Sequence, residues 1–333
     1  MAQMTYRQAL NQAMREEMRR DPDVFLIGEE VAEYEGAYKV SEGLLQEFGP
    51  KRVVDTPISE EAIAGTGIGA AMVGLRPIVE MMTINFTLLA MDQLVNHAAK
   101  LRYMSGGQLK IPLTLRAPQG AGMQLGAQHS QNLESWFIHV PGLKVVAPST
   151  PYDAKGLLKS AIRDDNPVIF LEHELLYGVK GEVPDEEYII PLGAADVKRA
   201  GTDVTIVCYL RMVSVALKAA EALEAQGISA EIVDLRTLKP MDTDTLVNSL
   251  KKTHRLVMVE EDYKSCGTGA EVVALMQELA FDYLDAPMER VATAEVPMPY
   301  AKNLEKAAIP SEQSVIDAVY RTLARETYQL TRV

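Results

Sequence analysis

Two side chains have the type and setting to do chemistry. Glu60 lies in VVDTPISEEAIAGTGIGAA, Val53 to Ala71, where an apolar run gives way to a small-residue helical pattern. In an open α/β sheet that junction is the carboxyl end of a strand, where ligands bind. Burial there raises a carboxylate's pKa and demands a donor partner, as a surface position such as Glu61 does not. His129 lies in APQGAGMQLGAQHSQ, a Gly-rich loop after the run that starts at Ile111. Glycines on its approach allow a ligand near the backbone, and functional histidines favour loops on rigid scaffolds. His97, His139, His173 and His254 sit in helical or strand contexts and read as structural. No Ser–His–Asp order and no second histidine at metal spacing accompany His129, so hydrolase and zinc chemistry have no support.

Phe86, in MMTINFTLLAMDQL, follows another apolar run in the same strand-end position. It is either core or a flat face for a heterocycle. SAIRDDNP, ending in Asp164, Asp165 and Asn166, is either a helix stop before Pro167 or a monovalent-cation corner built from helix-terminal carbonyls. Gly65, Gly67, Gly69 and Gly74 fail the G-x-G-x-x-G spacing and read instead as small residues that let another helix or subunit come close.

The elements that must hold these groups are short apolar runs bounded by Gly, Pro or Asp. VFLIG, RVVD, RPIVEM, IPLTLRA, LKVVAP and PVIFLE read as buried strands, with helices over 62–72, 88–103 and 152–163 between most of them. Alternation of this kind predicts an α/β protein with a mostly parallel sheet covered on both faces. Thr5 and Gln8 form a capping box for an opening amphipathic helix. The acidic stretch KGEVPDEEYIIP, 180–191, interrupts the rhythm. A second βα series follows it, with DVTIVCYL, AEIVDLRTL and RLVMVEED as strands and a last strand near 290–292. The expected division is 1–190 and 191–333.

The formal net charge of −13 argues against nucleic acid, because no Lys/Arg stripe is present to neutralise phosphates. Cys208 and Cys266 cannot form a disulfide framework. No signal peptide, transit peptide or membrane-spanning run is seen, so a cytoplasmic location is expected.

DTPISE, MTINF, LGAQHSQ, PGLKVV, DAKGLLKSAIRDDNP, LLYG, LKPMD, LDAP and VPMPYAK occur in one collinear order. Taken together they strongly resemble the beta subunits of the thiamine-diphosphate-dependent 2-oxo acid dehydrogenases, the pyruvate-oxidising branch in particular. The resemblance implies a pyrimidine-binding domain followed by a transketolase-type C-terminal domain. It implies that Glu60 hydrogen-bonds the aminopyrimidine of thiamine diphosphate, that Phe86 packs on that ring, and that His129 serves as an acid where the acyl group passes to a lipoyl group. In some members the SAIRDDNP corner binds K+; the matching ligands are Leu113, Ala161, Ile162, Asp164 and Asn166, largely through backbone oxygens. Asp285, in LDAP, matches a position that contacts the subunit-binding domain of the acyltransferase core, dihydrolipoyl acetyltransferase. The stretch EEDYKSCGTGAE departs from the mitochondrial pattern, so details of partner binding do not transfer there.

Thiamine enzymes hold diphosphate and Mg²⁺ with a GDG…N motif, and this chain has no Asp-Gly pair. The resemblance assigns that half to an alpha subunit, in an α2β2 heterotetramer. The alternatives are the beta chain of a branched-chain or acetoin dehydrogenase and, from another class, a non-catalytic organising subunit. The absence of a QFADY-like segment favours pyruvate, and the intact PISE glutamate with the AQHSQ histidine argues against a non-catalytic role.

Overall fold

Near-continuous apolar strands can be satisfied only where helices cover both faces of a sheet. A computed structural model describes residues 1–323; residues 324–333, the end of the expected second domain, lie outside the described residues. The strands of the first series are β1 (Ala2–Thr5), β2 (Val24–Gly28), β3 (Val53–Asp55), β4 (Arg76–Glu80), β5 (Thr114–Gln119), β6 (Lys144–Val146), β7 (Val168–His173) and β8 (Lys180–Val183). Those of the second are β9 (Asp196–Arg199), β10 (Val204–Cys208), β11 (Ala230–Asp234), β12 (Thr237–Lys239), β13 (Leu256–Tyr263) and β14 (Glu289–Thr293).

Seven strands form one sheet in the order β12-β6-β7-β5-β4-β2-β3, parallel except for β12 at the edge. Five form a second sheet, β14-β13-β10-β11-β9, parallel except for β9. All six apolar runs of the first series are strands, although β5 starts at Thr114 rather than Ile111. β1 and β8 pair as an antiparallel ribbon that the sequence did not suggest. Both are only four residues long and β8 lacks apolar alternation, so their mutual hydrogen bonding, not a sequence pattern, marks them as strands.

β12 is the notable crossing. It belongs to the second series yet pairs with β6 of the first sheet. One apolar core accordingly runs through both series, joining Ile27, Leu115 and Leu171 to Val207, Val233 and Met276.

The opening helix, Tyr6–Arg20, starts with the expected reciprocal cap: the Gln8 amide donates to Thr5 Oγ1, and the Thr5 amide donates to Gln8 Oε1. The single helix expected over 88–103 is instead a 3₁₀ segment, Ile84–Ala90, a π segment, Gln93–Ala98, and a short α-helix, Ala99–Met104. Apolar spacing reports which face is buried but not which carbonyl each amide selects. Asn85 and Thr87, buried and bonded within the segment, tighten its first turns. Among the described residues no helix is long and apolar enough to cross a membrane.

Candidate active site

Parallel pairing brings strand ends into line. Gly28 of β2 faces Asp55 of β3 and Glu80 of β4, Glu80 faces Arg116 of β5, and Gln119 faces His173 of β7. The segments that leave these ends carry Glu29, Glu60, Phe86 and His129 respectively after β2, β3, β4 and β5.

Glu60 is the first residue of the helix Glu60–Met72 and is 6% exposed. Its carboxylate has no hydrogen-bond or ion-pair partner among the described residues, although the partial positive charge of the helix start favours an anion there. Glu29 is equally buried, and its carboxyl is pushed up by burial first and then by the charge of Glu60. Glu61, as expected of a solvated charge, is exposed.

Phe86 and His129 meet. Their rings are edge to face, 5.5 Å between centroids at 87°. The Gln131 amide donates to Asn85 Oδ1 at 3.1 Å, which ties the loop after β5 to the one after β4. His129 is exposed, and its ring makes no hydrogen bond among the described residues. Behind it lies Glu174, whose carboxyl is raised mainly by burial, against a 2.8 Å hydrogen bond from the Tyr38 hydroxyl. The three groups singled out from the sequence thus follow β3, β4 and β5 of one sheet, with β2 between β3 and β4. Sequence reading missed Glu29, which the same strand-end rule applied to VFLIGEE would have found.

The glycines after Glu60 have two different reasons. A Cβ on Gly67 would lie 2.5 Å from Val79 Cγ2, so Gly67 serves packing within the chain. Gly69 faces open space with nothing within 4 Å.

The five residues of the expected cation corner do lie together around the end of the helix Pro151–Arg163. Most of their oxygens already have donors: Arg76 donates to the carbonyls of Ile162 at 3.0 Å and Asp164 at 3.0 Å, Lys144 pairs with the Asp164 carboxylate, the Asn166 amide donates to Asp164 Oδ1 at 2.8 Å, and Arg102 donates to Asn166 Oδ1 at 2.8 Å. The Leu113 and Ala161 carbonyls accept from Val168 and Asp164 amides at 2.8 and 3.2 Å. Asp285 sits elsewhere, before β14. It pairs loosely with Arg255 at 3.5 Å. That is the amino end of the second sheet, because its amide donates to the His254 carbonyl just ahead of β13. Among the described residues no cluster of three or more His, Cys, Asp or Glu could hold a metal.

Residues 2–180 match the family described as transketolase, pyrimidine binding domain, and residues 193–315 match transketolase, C-terminal domain. A pyruvate dehydrogenase E1 component subunit beta of Rhizobium meliloti (strain 1021) is 58% identical over 320 residues, 96% of this chain and 70% of its own length. The chain belongs to the family of pyruvate dehydrogenase E1 beta subunits. Another E1 beta subunit, from Rickettsia felis, is 57% identical over 95% of this chain and 97% of the relative. A mitochondrial E1 beta subunit of Dictyostelium discoideum is 54% identical over 97% of this chain and 92% of the relative. The E1 beta architecture also superposes on a solved split-gene transketolase, an inactive beta4 tetramer, with TM-score 0.79 and 26% identity over 96% of this chain and 98% of that one.

Proposed function

We propose that this chain is the beta half of a pyruvate dehydrogenase: with an alpha subunit in an α2β2 tetramer it decarboxylates pyruvate and passes the acetyl unit to a lipoyl group. The observation that carries this reading is Glu60, 6% exposed and without a partner among the described residues, on the segment that leaves β3, with the Phe86–His129 ring pair on the segments that leave β4 and β5 of the same sheet. A carboxylate with no partner in the protein is free to bond a ligand's N–H, and the amino group of an aminopyrimidine carries one.

Thiamine diphosphate fits this chain by half. Glu60 would share a proton with a ring nitrogen of the pyrimidine, donating to it when protonated and accepting from it once the proton has moved, and Phe86 would offer the ring an apolar wall. When bound, the cofactor supplies the electron sink that decarboxylation of a 2-oxo acid needs. The diphosphate and its Mg²⁺ have no matching residues here, since the sequence has no Asp-Gly. That half falls to the alpha subunit. His129, exposed beside Phe86, gives a proton to the acceptor in this reading, which its exposure supports.

The same proposal takes the lipoyl and subunit-binding domains of the acetyltransferase as partners, the latter at Asp285. It takes the division near residue 190 as a domain boundary and a cytoplasmic location. K+ at the Leu113, Ala161, Ile162, Asp164 and Asn166 corner would have to share carbonyls with Arg76, so KCl should raise the melting temperature no more than NaCl.

Glu60→Gln in the reconstituted tetramer is the deciding experiment. Assembly should survive and pyruvate decarboxylation should fall by at least about 100-fold, the scale of a lost acid–base group. Turnover within threefold of wild type would refute the role of Glu60. A preference for 3-methyl-2-oxobutanoate over pyruvate would move the enzyme to the branched-chain dehydrogenases.

A further inference from the structure

The loop that carries His129 is held by the other half of the chain. Its backbone is unusual: Gly120, Gly122, Gln124 and Gly126 all have positive φ, at 96°, 113°, 59° and 79°. A run of such residues cannot close a helix or a ladder, so its amides need acceptors from outside. Two buried glutamates of the second series supply them. Glu305, in the short helix Lys302–Ala308, is 2% exposed, and a single oxygen, Oε1, accepts from the amides of Gly122 at 2.9 Å and Gln124 at 3.0 Å. Glu261, at the carboxyl end of β13 and 5% exposed, accepts from the Ala121 amide at 2.7 Å, and its backbone carbonyl accepts from Asn132 Nδ2 at 3.0 Å.

The second clamp is itself braced. The Leu175 amide donates to His173 Nδ1 at 3.1 Å, so Nε2 carries the proton that His173 directs to Glu261 Oε2 at 3.0 Å. Arg211 adds positive charge 3.5 Å from the same oxygen. Burial alone would push the Glu261 carboxyl up. His173, Arg211 and the Ala121 amide outweigh it and hold the carboxyl below its usual range, so it stays an acceptor. Gly120 cannot be replaced without striking His173, because a Cβ there would lie 2.2 Å from Nε2. Glu305 makes no ion pair among the described residues; its bonds go to the loop.

We propose that Glu305, with Glu261, is a positioning residue for acyl transfer: it fixes the Gly120–Gln131 loop so that His129 stands against Phe86 where the incoming disulfide is opened. The proposal rests on the reading of His129 given above. In that step the two-carbon unit left by decarboxylation, at the aldehyde level, is oxidised to a thioester as the dithiolane gains two electrons. One sulfur bonds the acyl carbon, the S–S bond breaks, and the other sulfur leaves as a thiolate that takes the His129 proton. Decarboxylation comes earlier and does not need that proton. Loosening the loop should therefore slow transfer selectively, since a misplacement of about 1 Å costs on the order of 100-fold.

The test uses the reconstituted tetramer and two assays: acetyl transfer to a free lipoyl domain, and pyruvate oxidation by ferricyanide, which bypasses transfer. For Glu305→Ala the ratio of the two rates should drop about 100-fold, and amide exchange over 120–131 should quicken at least about tenfold. Glu305→Gln keeps an acceptor oxygen and should restore most of both. Gly122→Ala, whose Cβ would lie 2.5 Å from Leu175 Cδ1, disturbs the same loop from its first-domain side and serves if Glu305→Ala does not fold. Unchanged exchange in Glu305→Ala overturns the clamp. Faster exchange with an unchanged ratio overturns the positioning role, provided His129→Ala does lower that ratio. If His129→Ala leaves the ratio alone, the reading of His129 falls and the positioning role falls with it.

Discussion

The ring of His129 stands edge-on to the ring of Phe86, 5.5 Å away at 87°, although 42 residues of chain separate them. The contact joins the segments after two adjacent parallel strands, β4 and β5, while Glu60 starts the helix after β3 of the same sheet. An edge-to-face pair is worth about 0.5–1.5 kcal/mol beyond simple burial. Its two members would also face different ligands, Phe86 the cofactor ring and His129 the acyl acceptor.

Phe86→Ala should therefore separate binding from folding. Phe86 is only half-buried, so the fold should persist. Loss of a stacking face and of the pair with His129 should weaken thiamine diphosphate binding to the tetramer by about tenfold, or about 1.4 kcal/mol. Cofactor titration by quenching of intrinsic fluorescence measures it. An unchanged affinity would return Phe86 to the core reading.

Arg116 lies in the middle of the large sheet, 1% exposed, with Glu172 bonded bidentately at 2.7 and 2.6 Å and Glu80 as a second partner. The Tyr177 hydroxyl donates to the same Glu172 at 2.7 Å. Arg116→Met leaves two buried carboxylates facing each other, which should cost about 3–5 kcal/mol. Urea unfolding followed by circular dichroism reads this loss, and a midpoint within error of wild type would contradict it.

Gly67→Ala and Gly69→Ala, two residues apart on one helix, should behave oppositely. The first drives a methyl toward Val79 and should destabilise the chain by about 1–3 kcal/mol. The second has room and gains about 1 kcal/mol of helix propensity in the free chain. If the exposed face around Gly69 seats the alpha subunit closely, the same methyl weakens assembly. Sedimentation of each variant with the alpha chain, beside its own melting curve, separates the two effects.

Buried acids give the chain an alkaline weakness. Burial raises Glu134 and Glu260 to about 8, with Asp262 adding to both, and raises Asp234 to about 7, with Asp153 adding. These groups hold protons in the folded state at pH values where the unfolded chain has released them. Unfolding then releases protons, and stability falls as pH rises from about 5 toward about 8, by about 1.4 kcal/mol per pH unit for each proton. The melting temperature should decline between pH 6 and pH 8. Glu260→Gln, which keeps an acceptor for the Gly269 amide now bonded at 2.7 Å, should flatten that decline. An equal slope in the variant would remove Glu260 from the explanation.

What could be read along the chain was what depends on neighbours in sequence. Apolar runs such as VFLIG and PVIFLE marked strands because a buried parallel strand must be apolar on both faces. The Thr5–Gln8 cap was legible because its partners are three residues apart. That Glu60 follows the end of a strand was legible because the apolar run RVVD and the small-residue helical pattern after it are neighbours in sequence. The collinear motifs then pointed to the cofactor and the missing partner.

Tertiary structure alone decided how remote segments pair. β1 and β8 are strands only because they find each other across 175 residues, and β12 leaves its own series to edge the first sheet. The hold of Glu305 on the His129 loop spans 183 residues and consists of one carboxylate oxygen facing two amides. A glutamate in a short polar helix reads as a solvated charge, because a sequence lists donors and acceptors one by one. Which acceptor an orphaned amide takes depends on burial and distance, and those exist only once the chain has folded.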